Sequence, residues 1–421
     1  MTALRAIRRL VDRRRPVAAI PFAEYGALDG PTLVGGPRPR HDPGLDADPR
    51  LVVLMPHLSL GRMSGGPNTI LQTTARLVPL GVRIRYVATF GPLDPSEAAI
   101  RAHIRQVAGI DIDSSAVELG DASGPGAELR LGAGDVPFAT WWPTAHVARA
   151  ALDVVDAAEF IYLIQDFEPG FYPWSTKHAL AAATYAMPIR AIVNEPLLLE
   201  HLRREQVGIF GAEDLARRIV TFTPAVDREL FARRDRPAEA RRRLVFYARP
   251  RNPRNLFELG LRVLRVALAE GVFDGEEWEF RAIGQTLAPL PLSTTRSLEP
   301  VPWLSYPDYA AFLGESDVLL SLMLSPHTSY PPLEMVTAGG LVVTNTFGVK
   351  TREALTALSP AILAAPPEVD ALVDVLRQAV SRSGTADDAR GPATSLPPSW
   401  AEALREVGPW LHETIAAIRS T

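Results

Sequence analysis

Short apolar runs, separated by polar loops rich in glycine and proline, recur along the chain. Runs of this length, rich in β-branched residues, predict buried strands. They fall at 51–55, 82–89, 160–164, 191–193, 244–247, 279–283, 318–324 and 341–343. Between them, apolar positions at helical spacing predict helices, among them 256–269, a stretch near 366–381 and an amphipathic segment at 400–418. Strands alternating with helices predict an α/β protein with parallel sheets.

The most informative stretch is 317–350. A strand leads into the polar loop Ser325-Pro326-His327-Thr328-Ser329-Tyr330, and Pro331-Pro332 then open a helix. Proline suits a first helical turn, where its missing N–H has no partner to lose. Gly339-Gly340 stop the helix before the next strand. A polar loop at a helix N-terminus attracts an anion through free N–H groups and the dipole. Glu334, in the first turn, is placed to accept hydrogen bonds from an occupant of that loop. The same stretch also reads as an ordinary crossover in which Glu334 only complements the dipole.

Three other loops follow predicted strands, where open α/β sheets bind ligands. After 51–55 comes Ser64-Gly65-Gly66-Pro67-Asn68, a tight turn with Asn68 as a helix N-cap; it is not a GxGxxG dinucleotide fingerprint. After 160–164 comes 165–176, with Asp166, Glu168, four aromatic rings including Tyr172, and hydroxyls, a composition suited to holding a sugar. Asn194-Glu195-Pro196 faces the same crevice. Trp141 and Trp142 read as core, and Asp111-Ile112-Asp113, with no apolar strand before it, as a solvated loop rather than a metal site.

The 421 residues, 47% of them hydrophobic, are enough for two domains. A net charge of −4 argues against nucleic acid as main partner, and the absence of cysteine excludes disulfides, thiolate metal sites and thiol nucleophiles. No run approaches the roughly 18–20 apolar residues of a membrane span, and the expected location is cytoplasmic. Residues 1–15 are basic and amphipathic, with Leu4, Ile7 and Val11 on one face. They read as a peripheral membrane contact or, preferably, as a short helix packed on the body; 16–49 read as an irregular arm. Only Lys177 and Lys350 are lysines among 44 basic residues, a bias that a GC-rich genome explains, although both lie in motif-like stretches.

Residues 317–350 resemble the donor-site motif of GT-B glycosyltransferases of the family 4 kind, E-G-F-G-x-P-x-x-E-A-x-A-x-G-x-P-V-V. Pro331, Glu334, Gly339, Val342 and Val343 fall in register, while Pro326 stands at the first glutamate and His327 and Ser329 replace loop glycines. The wording SPHTSYPPLEM…GGLVVTNTFG, with QDFEPGFYPWST, is similar to the rhamnosyltransferases of S-layer glycan assembly, the WsaF type. The resemblance implies a GT-B fold: two Rossmann-like domains facing each other across a cleft, with an N-terminal extension. The expected divisions are 1–49, 50–225, 243–398 and a terminal helix at 399–421 that crosses back to the first domain.

The resemblance also implies roles. Arg249, at the family's arginine, and Arg254, an arginine where the family has lysine, would bind the donor diphosphate and carry catalysis, helped by loop amides of His327, Thr328, Ser329 and Tyr330. Glu334 would hold the nucleotide's sugar, Gly284 would be the post-strand glycine, and Trp303 would stack on the base. Gly65, Gly66, Asn68, Asp166, Glu168 and Tyr172 would face the acceptor and the reacting sugar, with Asp166 and Glu168 among the catalytic groups. The implied reaction moves L-rhamnose from dTDP-L-rhamnose to a hydroxyl of a growing, free or lipid-linked glycan. Configuration is retained, with neither metal nor cofactor. Two alternatives are a GT-B-fold nucleotide-sugar epimerase and a non-catalytic glycan-binding protein.

Overall fold

The computed structural model describes residues 34–63, 65–112, 115–213, 215–234, 241–275, 277–383 and 395–420. The basic segment 1–15, most of the arm 16–49, Asp113 and part of the 382–398 gap lie outside them. The chain from Gly36 to Thr421 forms one unit containing two seven-stranded sheets.

The first sheet is built from β1 (Leu51–Met55), β2 (Ile84–Ala88), β3 (Val117–Asp121), β4 (Val136–Ala139), β5 (Phe160–Ile164), β6 (Ile189–Asn194) and β7 (Ile219–Phe222). All pairs are parallel, in the order β3-β2-β1-β4-β5-β6-β7. Every residue of β1 and β5 is buried. A strand covered by helices on both faces must be apolar throughout, so these read as runs rather than as alternations.

The second sheet is built from β8 (Arg242–Ala248), β9 (Trp278–Gly284), β10 (Leu290–Pro291), β11 (Ser297–Pro300), β12 (Val318–Leu320), β13 (Leu341–Asn345) and β14 (Ile362–Ala365). Its order is β10-β11-β9-β8-β12-β13-β14, with only β10 antiparallel. Strand β12 is shorter than the apolar run predicts. It ends at Leu320; the Ser321 N–H still donates to the Val343 carbonyl at 3.0 Å, and residues 322–324 lead into the loop.

In both sheets the order reverses beside the first strand, between β1 and β4 and between β8 and β12. The chain leaves one way and returns the other, so the loops at the strands' carboxyl ends splay apart and open a crevice. All candidate loops lie at such ends.

Each sheet has its own hydrophobic core. Val226 and Phe231 of the interdomain connection belong to the second. The predicted terminal helix is two, Trp400–Ala403 and Val407–Arg419. Leu396 packs in the second core, whereas Leu404, Val407, Leu411, Ile415 and Ile418 pack in the first. Arg419 Nε donates to the Gly134 carbonyl at 3.3 Å, and Trp400 meets Phe222. The chain therefore crosses from the second core back to the first. In the arm, Arg38–His41 forms a strand alongside Glu128–Leu131. No helix among the described residues is long and apolar enough to cross a membrane.

Leu411 is fully buried in the first core. Leu411→Ala is expected to destabilise the protein by about 2–5 kcal/mol, the transfer loss plus the cavity. Urea unfolding of both proteins checks this; a cost below about 1 kcal/mol would mean that the helix is only loosely laid on the first sheet.

Candidate active site at the domain seam

The loop after β12 is held by the second domain's own groups. Asn345 clasps Met323: the Met323 N–H donates to Asn345 Oδ1 at 2.7 Å and Asn345 Nδ2 donates to the Met323 carbonyl at 3.1 Å. The Leu324 N–H donates to the Arg254 carbonyl at 2.7 Å. Within the loop, the His327 N–H donates to Ser325 Oγ at 3.1 Å and the Ser329 N–H to His327 Nδ1 at 2.8 Å. Ser329 has φ of +75°, a costly conformation for a residue with a Cβ. It delivers the chain into the helix Tyr330–Thr337, with Pro331 and Pro332 in its first turn.

The first domain closes on this loop. Asp166, just past β5, pairs with Arg254 and also accepts from the Ser325 hydroxyl. The Phe167 N–H donates to it at 2.8 Å. Glu195, just past β6 with φ of +90°, accepts from the Thr328 N–H. The Tyr330 hydroxyl meets Thr69 Oγ1 at 2.6 Å and accepts from Asn194 Nδ2 at 3.1 Å. The Arg254 guanidinium lies 4.3 Å from the centre of the Phe171 ring. Burial alone would raise the Asp166 pKa. The Arg254 charge, then His327, the Ser325 hydroxyl and the Phe167 N–H outweigh it, so the carboxyl is held below the ordinary aspartate value.

First-domain carboxylates thus sit on the groups expected to hold a diphosphate. Asp166 occupies Arg254, and Glu195 occupies the Thr328 amide. The His327 and Ser329 amides are taken up inside the loop, so amides 327–329 are all engaged. Several buried polar atoms at the same strand ends have no hydrogen-bond partner among the described residues: Gln165 Oε1, Asn194 Oδ1, Arg249 Nε, His327 Nε2 and Thr328 Oγ1. Unpartnered buried polar atoms cost about 1–3 kcal/mol each, and a ligand entering here could repay that.

Arg249 donates to the Tyr247 hydroxyl at 3.3 Å and packs on Gly284. Gly284 has φ of +106°, and a Cβ there would come within 3.0 Å of Arg249 Cγ, so glycine is required. Glu334 is buried and accepts from the Tyr309 hydroxyl at 2.9 Å. Burial pushes its pKa to about 7 against the pull of the Tyr309 and Tyr306 hydroxyls. Trp303 is 74% exposed. Gly65 and Gly66 line the seam: a Cβ on them would lie 3.7 Å from the Tyr330 ring and 3.5 Å from the Gln165 amide.

Four expectations need correction. Glu334 is not in the first helical turn: the helix begins at Tyr330, one turn earlier than Glu334. Asn68 is no N-cap, because the helix begins at Gly65; it lies one turn inside and pairs with His103 at 2.9 Å. Glu168 turns into the first domain, accepting from the Tyr162 hydroxyl at 2.5 Å. Burial pushes its pKa up to about 8, despite the Tyr162 and Trp142 hydrogen bonds. Tyr172 packs edge-on against Trp142 and accepts from its Nε1 at 3.0 Å. Thr69 and Lys350 were not expected at the seam. Thr69 carried no chemical signal, whereas the rarity of lysine marks Lys350 without giving it a role.

Two family models match the chain. "WsaF, N-terminal domain" matches residues 50–194, which span β1 to β6, and "WsaF, C-terminal domain" matches residues 242–377, which span β8 to β14. The chain belongs to the WsaF-type GT-B glycosyltransferases. Among solved structures, this WsaF-type chain is similar to HepE of Anabaena in complex with UDP-glucose. The TM-score is 0.58 at 13% identity, covering 87% of this chain and 100% of that one. Sucrose-phosphate synthase of Thermosynechococcus elongatus gives 0.54 at 13% identity, covering 88% and 96%. At these identities the likeness establishes the GT-B fold. The O-antigen biosynthesis protein RfbC of Myxococcus xanthus is 36% identical over 230 residues, 51% of this chain. The match takes in 16% of that longer protein.

Glu168 yields a pH prediction. Its folded pKa of about 8 lies above the ordinary 4.5, so the folded state keeps a proton that the unfolded state loses. Its contribution therefore falls as pH rises between those values. Glu168→Gln is expected to flatten the decline of melting temperature between about pH 5 and pH 8. Parallel curves for parent and variant would show that Glu168 titrates normally.

Proposed function

We propose that the chain transfers a sugar, L-rhamnose from dTDP-L-rhamnose, to a hydroxyl of a growing glycan with retention of configuration. The observation that carries this reading is the opposition at the seam. Arg249, Arg254 and the loop Ser325–Tyr330 come from the second domain, and Asp166 and Glu195 from the first. The diphosphate of a nucleotide sugar offers the same kind of acceptor oxygens as the two carboxylates, with the same total charge, and can take their place on Arg254 and the Thr328 amide. HepE, solved with UDP-glucose, supports a nucleotide-sugar donor, and the RfbC relative supports a glycan product.

In the transfer, the bond between the anomeric carbon and the diphosphate breaks, and the two arginines stabilise the charge that develops on the leaving oxygen. The acceptor hydroxyl forms the new glycosidic bond on the same face and passes its proton to the departing phosphate. Asp166, displaced from Arg254, lies where its negative charge stabilises the oxocarbenium-like centre. Glu334 accepts a hydroxyl of the nucleotide's sugar in place of Tyr309, and Trp303 stacks on the base. The reading needs no metal, because the diphosphate charge meets two guanidinium groups.

Arg254→Ala and Asp166→Asn separate this reading from a purely structural pair. Arg254→Ala is expected to weaken dTDP binding at least tenfold, about 1.4 kcal/mol or more. Asp166→Asn removes the internal competitor, so it should bind dTDP about tenfold more tightly while losing transfer. Calorimetric titration, with release of dTDP from dTDP-rhamnose measured with and without acceptor glycan, provides the check. Equal weakening in both variants would show that Asp166 supports the site rather than standing in for phosphate, and release without acceptor would point away from transfer.

Activity is expected to survive EDTA. Full loss on chelation, restored by Mg²⁺ or Mn²⁺, would replace the two-arginine account with a metal-dependent one.

A further inference from the structure

Lys350 has no role in the chemistry above, and its surroundings are unusual. Its backbone closes a tight turn with Phe347, with mutual N–H to carbonyl hydrogen bonds of 3.0 and 2.9 Å. The side chain then runs inward from the carboxyl end of β13 until the residue is 1% exposed. Nζ donates to the Met323 carbonyl at 2.9 Å. An ammonium has three N–H donors, and an interior cation held by a neutral carbonyl, without a carboxylate in direct contact among the described residues, is expensive. A well-packed apolar side chain would fill the space at lower cost, so the charge calls for another explanation.

The charges that act on Lys350 supply it. Glu195 and Asp166 attract it and Arg254 repels it, while burial outweighs them and lowers its pKa to about 8. Both carboxylates belong to the first domain; Lys350, Arg254 and Met323 belong to the second. Arg254 Nη1 lies 3.1 Å from Met323 Sδ, and Lys350 sits on the carbonyl of the same residue. Met323 is therefore flanked by two cations facing two carboxylates across the seam.

We propose that Lys350 is a positioning residue whose buried charge docks the Asp166 and Glu195 carboxylates of the first domain onto the second, and so sets how readily the cleft closes around the donor. The donor's place is taken from the proposed function, but closure can be measured without a donor.

The experiment compares the parent, Lys350→Met and Lys350→Arg by small-angle X-ray scattering at pH 7, alongside melting temperature and dTDP-rhamnose turnover. Lys350→Met is expected to melt at or above the parent's temperature, having lost a costly buried charge. Its radius of gyration should be larger, and its kcat at least tenfold lower with a smaller change in donor KM. Lys350→Arg keeps the positive charge and should keep the parental radius of gyration. The signs separate docking from ordinary structural support, because loss of support would lower the melting temperature of Lys350→Met together with opening it.

The proposal is overturned if Lys350→Met keeps the parental radius of gyration, whether its melting temperature falls or not. It is also overturned if the Arg variant, which keeps the charge, opens as far as Lys350→Met. If the parent turns over no nucleotide sugar, the proposed function fails, and the scattering comparison still decides the role of Lys350.

Discussion

Arg254 and Asp166 meet across the seam with side chains only 16% and 10% exposed. Taking two charges out of water costs several kcal/mol each, and their attraction recovers this only when the remaining donors and acceptors are met. Here they are: the Ser325 hydroxyl and the Phe167 N–H complete Asp166, and the Phe171 ring covers the guanidinium. A buried pair of this kind adds little stability but makes one relative placement of the two domains much better than its neighbours. The other contacts of the seam belong to the same placement: Glu195 reaches the Thr328 amide, and Tyr330 reaches Thr69 and Asn194.

The fold makes such a meeting possible. Both sheets reverse beside their first strand, so polar loops gather at the carboxyl ends of β1, β4, β5 and β6 on one side and of β8, β9, β12 and β13 on the other. The helix Val407–Arg419 adds a second tie, packing on the first core after Leu396 has packed in the second. A polar seam and an apolar tether divide the work: the seam can exchange partners with a ligand because water and phosphate compete for the same groups, whereas the tether's apolar contacts gain nothing from either.

Much of this was legible in the residues. The apolar runs marked the sheets because parallel strands covered on both faces admit no polar alternation. The polar loop followed by Pro331-Pro332 marked a helix start with its N-terminus open to ligands. Arg249, Arg254, Gly284 and the loop Ser325–Tyr330 all lie just past strand ends, and the family resemblance implied that they form one donor half. Asn68 was misplaced because Gly65 and Gly66, which read as a turn, are instead the first residues of a helix. Glu168 was misplaced because the turn Glu168–Phe171 sends carboxylates two residues apart to opposite sides, one to the seam and one to the Tyr162 hydroxyl.

The sequence by itself determined the alternation of buried strands with helices and the chemical types that the loops present, because these depend on local periodicity and on short-range backbone preferences. The pairing into two facing domains was implied by the family resemblance. Tertiary structure alone decided which group meets which. Asp166 and Arg254 are 88 positions apart and Thr69 and Tyr330 are 261 apart, and no local pattern links such residues. It also decided which ionisable groups lose their water, and hence that Glu168 and Glu334 are pushed up while Lys350 is pushed down. Desolvation is a property of everything packed around a side chain, and that is settled only when both domains have closed.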